Sequence, residues 1–215
     1  MHSPPRPNLR RTTSVTLTLC SALLLTLVAA EWRPLIDVDE RIARTAHRRA
    51  VENHGLTHTF RILTDWVWDP LTLRLVCVAA MVWLVWRRSA WWTALWLAAT
   101  CALGTLLQQT LKALVDRPRP VWPDPVDSAH YAAFPSGHAM TATVICGLLL
   151  WLLHAYGTGR AVWRTAMVLA VTSVAGVGFT RVWLGVHWPS DVVGGWLLGA
   201  LVVAVAVGAY ERLPA

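Results

Sequence analysis

The chain has 215 residues, 55% of them apolar and only 14% charged, with a mean hydropathy of +0.46. That balance excludes an ordinary water-soluble globule, and the apolar residues fall in blocks long enough for a bilayer, whose core of about 30 Å takes about 20 helical residues to cross. The formal charge of +7 does not point to a nucleic-acid partner, because arginines such as Arg10, Arg11, Arg87 and Arg88 stand at the ends of apolar blocks, where cations anchor and orient membrane helices.

Residues 1–12, with Arg6, Arg10 and Arg11, read as a cytoplasmic tail, and residues 13–215 as a single transmembrane domain. The first apolar block runs from Thr13 to Ala30 and ends in Val28-Ala29-Ala30, which resembles a signal-peptidase site. A retained first membrane helix is preferred, because five further blocks follow it. Residues 31–70 are polar, with Asp37, Asp39 and Glu40 ahead of Arg41, Arg44, Arg48 and Arg49, as the helix dipole favours. Ile42, Ala43, Ala46 and Ala50 recur at helical spacing, so this outer segment is either an interfacial helix or a solvated connector.

The remaining blocks are Leu71 to Trp86, Ala90 to Val115, His138 to Tyr156, Trp163 to Phe179 and Val192 to Tyr210. Backbone polar groups in hydrocarbon must be satisfied within each segment, so the expected fold class is all-α, an integral membrane bundle of about six transmembrane helices. With the N-terminus inside, Arg87-Arg88 and the Tyr156 to Arg164 loop are inside too. The loops around 116–137 and 180–191 then share the outer, extracytoplasmic face of a multi-pass plasma-membrane protein. Many of the 14 tryptophans, including Trp91, Trp92, Trp183 and Trp188, fall near span ends and read as interfacial belts. Cys20, Cys77, Cys101 and Cys146 lie inside apolar blocks without Cys-x-x-Cys spacing, so neither a disulfide framework nor a zinc site is expected.

Three polar segments interrupt this pattern. The first contains Lys112, the only lysine in the chain, and Arg119-Pro120 at the end of the third block. A mobile ammonium and a planar guanidinium together suit a phosphate, although cations at a span end also snorkel to the interface. The second, Phe134-Pro135-Ser136-Gly137-His138, opens the fourth block: Ser136 suits an N-cap, free N–H groups at a helix start with a glycine suit an anion, and His138 could give a proton to a leaving oxygen. The third runs from Thr180-Arg181 to His187 and Asp191, where a third cation precedes a histidine whose tautomer a carboxylate four residues on could fix. A structural ion pair is the alternative for His187 and Asp191, and Pro189 argues against regular helix through the segment.

In order and spacing these segments resemble the signature of the type 2 phosphatidic acid phosphatase superfamily, Lys-x6-Arg-Pro, Pro-Ser-Gly-His and Ser-Arg-x5-His-x3-Asp, with Thr180 in place of the usual serine. The resemblance implies that Lys112, Arg119, Ser136, Gly137 and Arg181 bind the substrate phosphate, His187 is the nucleophile, His138 the general acid and Asp191 the orienter of His187. Thr180 keeps a hydroxyl able to bond phosphate. It implies a phosphatase of lipid phosphates or diphosphates, working through a phosphohistidine without metal or cofactor. Undecaprenyl diphosphate is favoured over phosphatidate and phosphatidylglycerophosphate, and soluble vanadium haloperoxidases of the same superfamily are disfavoured by the spans. A non-catalytic lipid-headgroup binding or transport protein would need the cations but neither histidine. Asp116, Arg117 and His130 lie off the matched positions and are assigned no role, His54 and His58 are expected on a solvated face, and Arg74, early in its block, is expected to snorkel.

Overall fold

The computed structural model describes residues 7–212, and among them every regular element is helical. The helices are α1 (Pro7–Ala29), α2 (Arg33–Glu52), α3 (His54–Ile62, continued by a π-helical turn over Leu63–Val67), α4 (Pro70–Arg88), α5 (Trp91–Val115), α6 (Gly137–Ala155), α7 (Arg160–Trp183) and α8 (Pro189–Tyr210). Six stretches among the described residues are long and apolar enough to cross a membrane: Arg11–Ala29, His54–Arg88, Trp91–Val115, Gly137–Ala155, Arg160–Trp183 and Pro189–Tyr210. The all-α, six-span architecture read from the apolar blocks is the one found.

The second span begins earlier than its apolar block. Helix starts at His54 rather than Leu71, because Phe60 packs edge-on against Phe179 and Trp183 of α7, giving α3 a buried face that its polar neighbours mask in the sequence. The chain bends at Trp68 and Asp69. There the Asp69 carboxylate accepts from Leu71 N at 2.7 Å and Thr72 N at 3.3 Å, and Pro70 at the first helical position restarts the helix as α4.

Residues 31–70 are mostly helical, and α2 packs on α7 and α8. Its buried positions are Asp39, Ala43, His47 and Ala50, whereas Ile42 is exposed. The inward face is therefore offset from the purely apolar stripe expected of Ile42, Ala43, Ala46 and Ala50. Asp39 is drawn inside by partners far along the chain, described below.

α6 forms the centre of the bundle and packs against α8, α7, α4 and α5. Its Ala142, Ile145 and Leu152 join Leu73, Cys77, Leu84, Leu97 and Val177 in one apolar core. α8 lies unusually close to the start of α6: a Cβ on Gly195 would stand 2.7 Å from the Ser136 carbonyl oxygen and 3.0 Å from Met140 N. Small residues permit such backbone approach between membrane helices. The four cysteines are free, with Cys77 and Cys101 sulfurs 3.8 Å apart.

Candidate active site

Four helix ends meet around one cavity of about 290 Å³, near the lower end of the roughly 300–1,000 Å³ usual for small-ligand sites. The end of α5 supplies Lys112, the start of α6 supplies Gly137 and His138, and the end of α7 supplies Arg181. The α7–α8 turn adds His187, and the loop over 116–136 adds Arg119 and His130. The three motif segments, far apart in the chain, thus place Lys112, Arg119, Arg181, His138 and His187 on one space, which His130 and Arg74 line as well.

The turn that presents His187 depends on Gly185, whose φ of +71° lies in the left-handed region and whose Cβ would stand 2.6 Å from Trp122 Nε1. Trp122 donates from that nitrogen to the Gly185 carbonyl at 2.9 Å, and its ring stacks on His47 of α2 with centroids 4.3 Å apart. Regular helix is interrupted between Trp183 and Pro189, as the proline implied, and Pro189 then opens α8 at its first position.

His187 is 2% exposed, and its Nδ1 lies 3.2 Å from Asp191 Oδ2, while its Nε2 lies 3.2 Å from Arg119 Nη1. A proton on Nδ1 pointing at the carboxylate leaves the Nε2 lone pair for the arginine N–H, so the geometry assigns one tautomer. Burial first, then the charges of Arg119, Arg181 and Lys112, hold the His187 imidazole well below its usual range, which keeps it neutral at pH 7. Arg119 is itself lowered, to about 10, by burial and then by Arg181, and so remains a cation. It donates from Nε to the Tyr131 carbonyl at 2.8 Å and from Nη1 to that of Val186, while Lys112 donates to the Ala132 carbonyl.

Asp191 lies behind His187 rather than on the cavity, fully buried and fully engaged. Its Oδ2 also accepts from Trp188 N at 2.9 Å, and its Oδ1 accepts from Arg117 Nη1 at 2.7 Å. Arg117, given no role on sequence grounds, is buried and joins three groups. Its Nη1 also donates to Ser190 Oγ at 2.7 Å, and its Nη2 pairs with Asp39 Oδ2 at 2.8 Å. Asp39 in turn accepts from Ser190 N at 2.9 Å and from the Ser190 hydroxyl. No local spacing links Arg117 to a carboxylate 78 residues earlier, which is why the sequence did not reveal it.

Two other residues differ from expectation. Ser136 stands at the N-cap position of α6, but its hydroxyl makes no cap; it is fully buried and has no partner, while its N–H donates to the Asp191 carbonyl at 2.9 Å. Thr180 is buried facing α3, its hydroxyl bonded to Thr64 Oγ1 at 2.9 Å and donating to the Val177 carbonyl at 3.0 Å, so it is spent on helix packing rather than held for phosphate. The added methyl therefore does not crowd the cavity. Arg181 lies 3.7 Å from Asp127, yet its Nε is buried without a partner. A Cβ on Gly137 would stand 2.8 Å from Gln108 Nε2, so glycine lets α6 begin directly over the α5 side chain.

The family model of the PAP2 superfamily matches residues 93–214, which hold the three motif segments and α6 to α8. A phosphatidylglycerophosphatase B of Bacillus subtilis is 32% identical over 127 residues, covering 57% of this chain and 60% of that protein, less than two thirds of its length. A decaprenylphosphoryl-5-phosphoribose phosphatase of Mycobacterium tuberculosis is 32% identical over 158 residues, covering 72% of this chain and 81% of the relative. An undecaprenyl-diphosphatase of Sulfolobus acidocaldarius is 26% identical over 202 residues, covering 86% and 87%. In fold, the crystal structure of a transmembrane PAP2-type phosphatidylglycerolphosphate phosphatase from Bacillus subtilis superposes with a TM-score of 0.78 at 24% identity, over 94% of this chain and 98% of the other.

Proposed function

The chain belongs to the PAP2 superfamily, and on that premise we propose that it is a membrane phosphatase releasing phosphate from a lipid phosphate or diphosphate through a phosphohistidine at His187. The observation that carries this reading is the His187 ring itself, neutral, with Nδ1 on Asp191 and Nε2 facing Arg119 at the edge of a cavity that also holds Lys112, Arg181 and His138. Holding an anion would need the cations alone; a positioned lone pair with a second imidazole across the cavity suits displacement at phosphorus.

In the proposed cycle the Nε2 lone pair attacks phosphorus as the bond to the lipid oxygen breaks, and His138 gives that oxygen its proton. Neutral His138 then takes a proton from water, whose oxygen forms the new bond to phosphorus as the N–P bond breaks. Inorganic phosphate leaves, and both histidines return to their starting states. Lys112, Arg119, Arg181 and the free N–H groups at the start of α6 neutralise the equatorial oxygens, where positioned charge contributes most in phosphoryl transfer. The unpartnered Ser136 hydroxyl and Arg181 Nε are buried donors of the kind a bound oxyanion satisfies. All groups in this scheme are side chains or backbone of the chain, so no metal or cofactor is invoked. An isoprenoid diphosphate such as undecaprenyl diphosphate is the favoured substrate, supported by the Sulfolobus relative.

We place the site on the extracytoplasmic face of the plasma membrane, because Arg87 and Arg88 close α4 and Arg160 and Arg164 lie at the start of α7, at the ends of those helices opposite the site.

The test is phosphate release by detergent-purified protein from undecaprenyl diphosphate, phosphatidate and phosphatidylglycerophosphate, with excess chelator and with His187→Ala in parallel. Chelator-resistant release abolished by the substitution is expected. Release that survives His187→Ala would remove the nucleophile, and no release from any lipid would leave a headgroup-binding protein as the better reading.

A further inference from the structure

Arg74 does not snorkel away from the bundle. It is half-buried on α4 one turn inside Pro70, and it lines the same cavity as Lys112, His138 and His187. Among the described residues it has no ion-pair partner, and its contact with Thr105 Oγ1, at 3.5 Å, is longer than a normal hydrogen bond. A cation within a span is costly, and where one faces an interior cavity a charged partner or a ligand is the usual reason.

The surroundings of Arg74 form a sequence of chemistries. On α5, Thr105, Gln108 and Lys112 are spaced by three and four residues and share one face, with Thr105 about 10 Å inward of Lys112 along the axis. On α6, Thr141 stands one turn inward of His138 on the same side. Gln108, Thr141 and Arg74 line both the catalytic cavity and a narrow inner crevice, whose remaining lining includes Cys101, Val144 and Ile145. Moving into the membrane, the order is Lys112, Arg119 and Arg181 with three histidines, a neutral polar strip, a lone arginine, then apolar side chains.

We propose that Arg74 is a second anion subsite, which binds a phosphate separated by a short neutral linker from the scissile one on the lipid-tail side, so that Arg74 distinguishes lipids carrying two such linked phosphates from lipids with one. This rests on the phosphatase reading above. With the scissile phosphate at His187, the glycerol linkage of such a lipid, as in phosphatidylglycerophosphate, faces Gln108 and Thr141, its inner phosphate reaches Arg74, and its hydrocarbon continues along the apolar lining; a diphosphate, whose two phosphates share one oxygen, keeps both near the motif cations. The inward offset from Lys112 puts Arg74 on a different part of the substrate from the three motif cations. Phosphatidate has only one phosphate and leaves Arg74 without a partner.

The experiment compares kcat/KM on phosphatidylglycerophosphate, undecaprenyl diphosphate and phosphatidate for the wild-type protein, Arg74→Gln and Arg74→Lys in detergent. The wild type is expected to prefer phosphatidylglycerophosphate over phosphatidate, and undecaprenyl diphosphate is the lipid on which Arg74→Gln should change little. Arg74→Gln should lower that preference by about 10- to 100-fold, the worth of one charge-assisted hydrogen bond, and Arg74→Lys should retain most of it. The wild type alone gives a second reading should Arg74→Gln fail to fold: phosphatidylglycerol, which keeps the inner phosphate, should inhibit at lower concentration than diacylglycerol. An unchanged preference in Arg74→Gln, an equal loss on all three lipids, or equal inhibition by the two products would overturn the subsite while leaving the phosphatase reading intact. No release from any lipid by the wild type would overturn both.

Discussion

Arg117 offers the sharpest test of how the site is held together. Its guanidinium bridges Asp191 at 2.7 Å and Asp39 at 2.8 Å, all three side chains being buried. At an effective dielectric of about 20, charges at such separations attract by roughly 6 kcal/mol per pair, most of which offsets the desolvation of the ions. Replacing Arg117 by methionine keeps the volume but leaves two buried carboxylates without their counter-charge, and breaking a buried ionic network this way costs about 3–5 kcal/mol. Denaturant unfolding in micelles should show that loss. The same variant should lose activity by roughly 10- to 100-fold, as when an outer partner of an active-site ligand is removed, because Asp191 loses one of the contacts that aim it at His187. Adding Asp39→Asn should return part of the stability, since one stranded charge is then gone and the two substitutions are coupled. A loss below about 0.5 kcal/mol, the range for exposed positions such as Arg48, or strict additivity with Asp39→Asn, would refute the argument.

Three further outcomes are expected. Gly195→Ala should cost about 1–3 kcal/mol and depress activity, because its Cβ would meet the Ser136 carbonyl at 2.7 Å, whereas Gly208→Ala, with nothing within 4 Å, should be neutral or stabilising; equal effects in unfolding and turnover assays would contradict the close packing of α8 on α6. Thr180→Ser should leave turnover within about threefold, and Thr180→Ala should mainly cost stability, about 1 kcal/mol, since the hydroxyl serves Thr64 and Val177; a large loss of kcat in Thr180→Ala with unchanged stability would return that hydroxyl to the phosphate. Stability should also fall on acidification. His187 and His47 both titrate below 6.5 in the folded chain, chiefly through burial, so below that pH the unfolded chain binds protons that the native one does not. The stability is complete above 6.5 and is lost toward each folded value at up to about 1.36 kcal/mol per pH unit for each histidine. Thermal midpoints that rise on acidification would contradict the neutral, buried state, and His47→Asn should flatten part of the slope.

The site residues legible in the sequence are those whose relation is local. Lys112 and Arg119 flank one helix end, Ser136 to His138 form one helix start, and His187 and Asp191 share one turn, so each pair or triplet carries its meaning in its own spacing. The six spans were legible for a similar reason, since crossing a bilayer requires only a continuous apolar run. Three features were not legible, for a common physical reason. Arg117 is explained by Asp39, Arg74 by the cavity that α5 and α6 close around it, and the hydroxyl of Thr180 by Thr64, 116 residues away. In each case the partner lies on another helix, and nothing in the periodicity of one helix records what its neighbour presents.

That separation follows how the work of the site is divided along the chain. The residues of the three motif segments all lie between Lys112 and Asp191, inside the region the family model matches. Groups that hold those residues in position come partly from outside it: Asp39 reaches Asp191 through Arg117, and His47 stacks on the Trp122 that bonds the turn before His187. α2 therefore acts as a clamp on both Asp191 and the turn carrying His187, although it contributes no atom to the cavity. A buried polar face on α2 serves this better than an apolar one, because a carboxylate paired at 2.8 Å fixes register where apolar contact would tolerate sliding.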